Sequence, residues 1–114
     1  MRRLEVRFRP EALDDLEDIY RLVYRASLSP VVAEGFVGRI RERCRRIGDV
    51  PLGGRPRDDL EPGLRAVPFE RRAVIAYKVE SDCVRITNIF YGGRDYEALY
   101  RGHSSEESDE TDGS

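Results

Sequence analysis

Residues 51–95 read PLGGRPRDDLEPGLRAVPFERRAVIAYKVESDCVRITNIFYGGRD. The opening of this stretch is punctuated by Pro51, Gly53, Gly54, Pro56, Pro62 and Gly63, which makes residues 49–63 one long connection. A connection of that length inside a small domain is either functional or pinned by specific contacts. Beyond Gly63 the chain turns β-type. Strands are predicted at residues 64–70, 72–80 and 83–91, with Ser81 and Asp82 forming a tight hairpin turn. Val74, Ile75, Val79, Val84, Ile86, Ile89 and Phe90 place apolar groups on both strand faces, so the last two strands are expected in the middle of a sheet.

Moving outward to the N-terminus, Leu4, Val6 and Phe8 alternate with Glu5, Arg7 and Arg9, the pattern of a half-buried strand. Pro10 stops that strand and suits the first turn of a helix. Ala12, Leu13, Leu16, Ile19, Tyr20 and Val23 then recur at three- and four-residue spacing, with Asp14, Asp15, Glu17, Asp18 and Arg21 on the other face. Acids crowd the N-terminal half of this helix, as its dipole favours. Ser29 reads as the N-cap of a second helix with Pro30 at its first position. Ala33, Phe36, Val37, Ile40, Cys44 and Ile47 line one side of it, Arg39, Arg41, Glu42, Arg43, Arg45 and Arg46 fall mostly on the other, and Gly48 marks its stop. The expected fold is α+β: an N-terminal strand, an α-helical hairpin, and a three-stranded antiparallel meander completing one mainly antiparallel sheet with the hairpin on one face.

A chain of 114 residues supports one small domain. Charged residues make up 37% and hydrophobic ones 39%, so the core is thin and the surface dense in charge. The net charge of -2 conceals an asymmetry: Glu106, Glu107, Asp109, Glu110 and Asp112 lie in residues 103–114, which hold no Lys or Arg. Residues 1–102 keep 20 basic against 17 acidic side chains, a net of +3. The organisation expected is a cationic domain over residues 1–102 and an acidic, disordered tail over 103–114, which is a solubilising extension or folds back on the Arg-rich face. Lys78 is the only lysine among the bases. An Arg-rich surface suits carboxylates or phosphates, although a GC-rich genome produces the same bias.

The N-terminus has no apolar run suited to a signal peptide, and Cys44 and Cys83 have neither metal-type spacing nor His partners. A reduced, cytoplasmic protein without metal or cofactor is expected, with both thiols as core fillers. No nucleophile motif, phosphate-binding glycine loop or His-based acid–base set is present, and His103 is the sole histidine.

One ordered series within residues 51–95 carries a family resemblance. Gly54-Arg55-Pro56, Leu60, Gly63-Leu64-Arg65, a strand with tyrosine, and a strand running into Tyr91-Gly92-Gly93-Arg94-Asp95 resemble the ParE/RelE toxins of type II toxin-antitoxin systems, and the ParE branch most closely. Tyr91 stands where that branch usually has His.

This resemblance implies a ParE-like toxin that poisons DNA gyrase by trapping its cleaved-DNA intermediate, without catalysis of its own. It also implies neutralisation by an acidic, ParD-like antitoxin. The residues it suggests for target binding are Arg65, Tyr91, Arg94 and Asp95. For the antitoxin they are Tyr20, Tyr24, Leu28, Arg39, Arg43 and Arg46, aromatic and aliphatic anchors beside an arginine rim. One alternative is a RelE-like ribosome-dependent mRNA endonuclease, for which Arg65, Arg94 and Tyr100 are the matching residues; Arg55, Arg57 and Val74 depart from that branch's pattern. Another is a nontoxic relative kept as an antitoxin-binding module. Structural roles compete at each position: Arg65 lies near Glu61 and Glu70 for a surface ion pair, Arg94 and Asp95 near the loop acids Asp58 and Asp59, Tyr91 suits an ordinary sheet position, Phe36 suits the core, and Arg55 and Arg57 suit a solvated loop.

Overall fold

A computed structural model describes residues 3–92, 97 and 100. The elements run β1 (Glu5–Phe8), α1 (Pro10–Ser27), α2 (Pro30–Ile47), a 3-10 turn at Pro51–Gly53, β2 (Arg55–Pro56), β3 (Leu64–Phe69), β4 (Ala73–Val79) and β5 (Cys83–Tyr91). They form one five-stranded sheet of order β1-β5-β4-β3-β2. The three β-type runs of the meander are antiparallel strands, and β4 and β5 are interior. β1 pairs in parallel with the start of β5, Glu5 opposite Cys83 and Phe8 opposite Ile86. Alternation along β1 signals a half-buried strand and is silent on its pairing direction.

Both helices lie on one sheet face. Ala12, Leu16, Ile19 and Val23 of α1 and Ala33, Phe36, Ile40, Cys44 and Ile47 of α2 close over Val67, Ile75, Tyr77, Val84, Ile86 and Ile89. Leu13, expected on the apolar stripe of α1, is 42% exposed, because the buried stripe narrows to positions 12, 16, 19 and 23. Phe36 is a core residue, with Phe69 and Tyr91 at 5.8 and 5.5 Å between ring centroids. On the opposite face Leu64, Ala76 and Phe90 form a smaller cluster with Leu60, Val74 and Tyr100.

Local signals explain the helix ends. Ser29 Oγ accepts from the Val32 N–H at 3.2 Å, with Pro30 at the first helical position. Gly48 closes α2 at a right-handed φ of -60°, so its value is not a left-handed cap. A Cβ there would overlap the Leu4 carbonyl, whose own N–H donates to Gly48 O at 2.9 Å; glycine lets the end of α2 touch the entry of β1. α1 ends differently, at Leu28 with φ 55° and 77% exposure. The β3–β4 turn also uses left-handed non-glycine residues, Glu70 (φ 49°) and Arg71 (φ 59°), closed by the Arg72 N–H on Phe69 O at 3.0 Å. The strands therefore stop one residue earlier and start one later than predicted.

β5 outruns β1, and its exposed edge is covered by a side chain. Asp15 of α1 accepts the Ile89 N–H at 2.8 Å and the Asn88 side-chain amide at 3.2 Å. This blocks a bare strand edge that would otherwise template pairing.

Candidate functional site

The long connection is pinned. Tyr77, fully buried on β4, donates its hydroxyl hydrogen to Pro51 O at 2.8 Å and accepts from the Gly54 N–H at 2.8 Å. A Cβ on Gly54 would overlap the Tyr77 ring, so this approach requires glycine. Arg65 Nη1 donates to Leu52 O at 3.0 Å and Gly54 O at 2.8 Å. Two side chains thus hold the backbone of residues 51–54. Burial pushes the Tyr77 phenol above its ordinary 10.0, against the opposing pull of its Gly54 hydrogen bond and of Arg65 and Arg43.

Arg65 is therefore a brace for the loop. It does not form the expected ion pair with Glu61 or Glu70: Glu61 pairs with Lys78, and Glu70 forms a forked pair with Arg39, with Arg39 Nε to Glu70 Oε2 at 2.8 Å and Nη2 to Oε1 at 3.1 Å. Arg57 also departs from the solvated-loop expectation. Its side chain is 12% exposed, bonded to both oxygens of Asp59 and to Glu97 at 2.6 Å. Asp58 Oδ1 accepts the Gly63 N–H at 2.9 Å.

The register separates residues that the sequence series brings together. Arg65 faces Tyr77, whereas Tyr91 faces Ala73, which in turn faces Phe69. Arg65 and Phe69 are four residues apart, about 13 Å along β3. Tyr91 sits at the far end of the sheet, its ring edge on Phe36 at 66°. Tyr100 packs on Phe90 at 6.5 Å, in the cluster on the face opposite the helices. Arg65 alternates with Leu64 of that cluster and points to the helix side, so Arg65 and Tyr100 fall on opposite faces. Arg94 and Asp95 lie outside the described residues, as does the 103–114 tail.

The proposed antitoxin residues form two stripes. Tyr20 and Tyr24 stack at 6.4 Å with a 7° interplanar angle, and Leu28 continues that line to the hairpin tip, where Val31 (77% exposed) and Val32 are also uncovered. Arg39, Arg43 and Arg46 fall at four- and three-residue spacing along α2, hence on one side of it. Arg39 lies over the Phe36 ring at 5.4 Å and is held by Glu70. Arg43 and Arg46 instead line a cleft of ≈ 380 Å³ with Ile47, Asp49, Val50, Gly53, Gly54, Val67 and Tyr77. Sequence reasoning missed Tyr77 and read Arg57 as a solvated loop residue; the adjacent Gly53 and Gly54 were a usable signal of close backbone approach, but nothing local named its partner.

Both cysteines are buried and unpaired, and burial pushes the Cys44 thiol to about 12. Among the described residues, no group of three or more His, Cys, Asp or Glu is placed to hold a metal ion, and no helix is long and apolar enough to cross a membrane.

Residues 6–96 match the family model described as ParE toxin of type II toxin-antitoxin system, parDE. The chain belongs to the ParE toxin family. Among solved structures it is similar to the chromosomal ParDE TA system from P. aeruginosa, at 25% identity and a TM-score of 0.67, covering 77% of this chain and 95% of that one. No curated protein matches it. As a ParE toxin it keeps the strand, helical hairpin and meander expected of the family, with the tail lying beyond the matched residues.

Proposed function

We propose that this ParE toxin poisons DNA gyrase and is held inactive by an acidic, ParD-like antitoxin docked on its helical hairpin. The observation that carries the target is the separation of Arg65 from Tyr100. Cutting RNA without a histidine base requires several preorganised charges converging on one phosphate, each worth roughly 3 kcal/mol of transition-state stabilisation. Here Arg65 is spent on loop carbonyls and Tyr100 lies on the other face of the sheet. Poisoning gyrase needs only a surface that binds one state of the enzyme better than another, because a ligand shifts an equilibrium by its differential affinity. Tyr91 at the end of β5, with Arg94 and Asp95 that follow it in sequence, are the proposed contacts, and Arg65 acts through the loop it holds.

The hairpin tip supports the antitoxin site. A left-handed conformation at a residue other than glycine costs about 1–2 kcal/mol. Leu28 adopts one while placing an apolar side chain in solvent, beside Tyr24, Val31 and Val32. The arginine stripe of α2 supplies the cationic rim that would steer an acidic partner.

The test is controlled expression without antitoxin, followed by assay of purified gyrase on supercoiled plasmid. The expected outcome is filamentous cells and toxin-dependent accumulation of gyrase-cleaved DNA, both suppressed by the antitoxin and weakened by Arg94→Ala at matched soluble protein. Cleavage of ribosome-bound messenger with gyrase unaffected would overturn the proposal in favour of a RelE-like nuclease.

A further inference from the structure

The cleft between the end of α2 and the 51–54 turn has an unusual charge balance. Arg43 and Arg46 both line it, and among the described residues neither has an ion-pair partner. Its one acidic lining residue, Asp49, is matched by Arg3 at 3.0 Å. The other arginines of α2 are engaged: Arg39 with Glu70, Arg45 with Glu42, and Arg41 over the Phe8 ring. Two unmatched guanidiniums therefore line one recess, beside buried Ile47 and Val67 and the exposed side chain of Val50. The guanidinium fork is built to take carboxylates.

The same chain carries a matching ligand. Glu106, Glu107, Asp109, Glu110 and Asp112 fall within seven residues that contain no base. Their point of departure is fixed by Glu97, which pairs with Arg57 at 2.6 Å. Arg57 is three residues from Gly54, a wall of the cleft, so Glu97 is held about 10 Å of chain from the recess. Tyr100 packs on Phe90 on the face opposite the helices, so the segment has to round the β2 edge to reach the recess; Glu106 is six residues beyond Tyr100 and Asp112 twelve, reaches of up to about 20 and about 40 Å. We propose that the Arg43–Arg46 cleft is a binding site for an acidic peptide, and that its resident occupant is the chain's own segment 103–114.

This contact has the chemistry of a placeholder. The segment offers carboxylates to both arginines but has no Ala, Val, Leu, Ile, Met, Phe, Tyr or Trp side chain for the apolar lining of Ile47, Val50 and Val67. An external segment carrying both acids and an aliphatic residue satisfies the whole cleft and displaces the tail. The tail then acts as a tethered competitor that screens the cationic side of α2 until such a partner arrives. Displacement by the antitoxin rests on the proposed function; occupancy of the cleft by the tail does not, and a measurement containing neither antitoxin nor gyrase separates the two.

That measurement compares amide resonances of the full-length chain at low salt in a double-mutant cycle. One variant neutralises the tail (Glu106→Gln, Glu107→Gln, Asp109→Asn, Glu110→Gln, Asp112→Asn), a second carries Arg43→Gln with Arg46→Gln, and a third combines both sets. Neutralising the tail is expected to move the Val50, Gly53 and Gly54 amides of the otherwise wild-type chain in the direction that 0.5 M salt moves them. In the Arg43→Gln, Arg46→Gln background the same neutralisation is expected to move none of them. A synthetic peptide of residues 103–114, titrated in, should bind the neutral-tail chain roughly threefold more tightly than wild type, because a tethered competitor has an effective concentration of a few millimolar. Cleft amides that ignore tail neutralisation, or that shift equally in both backgrounds, would overturn the proposal. So would a peptide that binds wild type and neutral-tail chains alike.

Discussion

Replacing Tyr77 by Phe removes one oxygen from the interior and disconnects the 51–54 turn from the sheet. The hydroxyl makes two hydrogen bonds, as donor to Pro51 O and acceptor from the Gly54 N–H, each 2.8 Å. A typical intramolecular hydrogen bond contributes about 1 kcal/mol net, but a buried donor left without an acceptor costs ~1–3 kcal/mol. Gly54 is buried, so its N–H falls in the second class. The expected loss is about 2–4 kcal/mol of unfolding free energy, large against the 5–15 kcal/mol typical of such domains. It corresponds to a fall in melting temperature of roughly 10 °C or more. Urea unfolding followed by circular dichroism should show a lower midpoint at unchanged slope. Because Arg65 holds the same turn through Leu52 and Gly54, Tyr77→Phe and Arg65→Met should be non-additive by more than about 0.5 kcal/mol.

The phenol supplies an independent readout. Its folded-state value is raised above the ordinary 10.0, chiefly by burial, so between the two values the folded chain holds a proton that the unfolded chain has lost. The Tyr77 contribution is then complete below about pH 10 and falls as pH rises toward the folded value. Tyr77→Phe should lower the neutral-pH stability and make this alkaline decline shallower, the remainder belonging to the buried Cys44 thiol, which is raised from its ordinary 9.0 to about 12. A variant within ~0.5 kcal/mol of wild type, with an alkaline limb as steep as that of wild type, would refute the assignment of Tyr77 as the anchor of the turn.

The β3–β4 turn and the Arg39–Glu70 pair give two further expectations. Arg71→Gly should stabilise the domain by about 1 kcal/mol in the same urea assay, because glycine relieves a left-handed φ of 59°. The Glu70 carboxyl is held below its ordinary 4.5 first by its hydrogen bond from Arg39, so its contribution is present above that value and is lost as pH falls through the depressed one; Glu70→Gln should flatten the acid limb of the stability profile, measured by melting between pH 2 and 6.

The strands of the meander were legible because their apolar periodicity and the Ser81-Asp82 turn agree, and the observed strands match within a residue at each end. The helices were legible for the same reason, reinforced by Ser29 and the prolines at positions 10 and 30. Three features were hidden. β2 contains Pro56 in only two residues, too short to show alternation. The turn at Glu70 and Arg71 lacks the Asn-Gly signature normally expected of two left-handed residues. The parallel pairing of β1 is a long-range property of Glu5–Phe8 and Cys83, which no local pattern encodes.

The site was less legible because a motif records which residues recur, not what each one holds. Arg65 recurs beside Gly63 and Leu64, and its charge suggests a ligand for a phosphate or a protein target. In the structure that charge is turned onto the carbonyls of Leu52 and Gly54. Arg57 likewise looks like a solvent-facing loop cation and is instead enclosed between Asp59 and Glu97. Both arginines do for the loop what a longer core would do in a larger protein: they hold irregular backbone by charge-assisted bonds where too little apolar area is available to pack it. The Gly-Arg-Pro to Leu-Arg part of the series is therefore accounted for as a scaffold. In the proposed function, target contact is left to Tyr91 and the residues that follow it in sequence, and antitoxin contact to the hairpin with the arginine stripe of α2. Substituting Arg65 should consequently impair toxicity and loop stability together, whereas Arg43 and Arg46, which form no ion pair among the described residues, should affect partner binding while leaving the unfolding midpoint nearly unchanged.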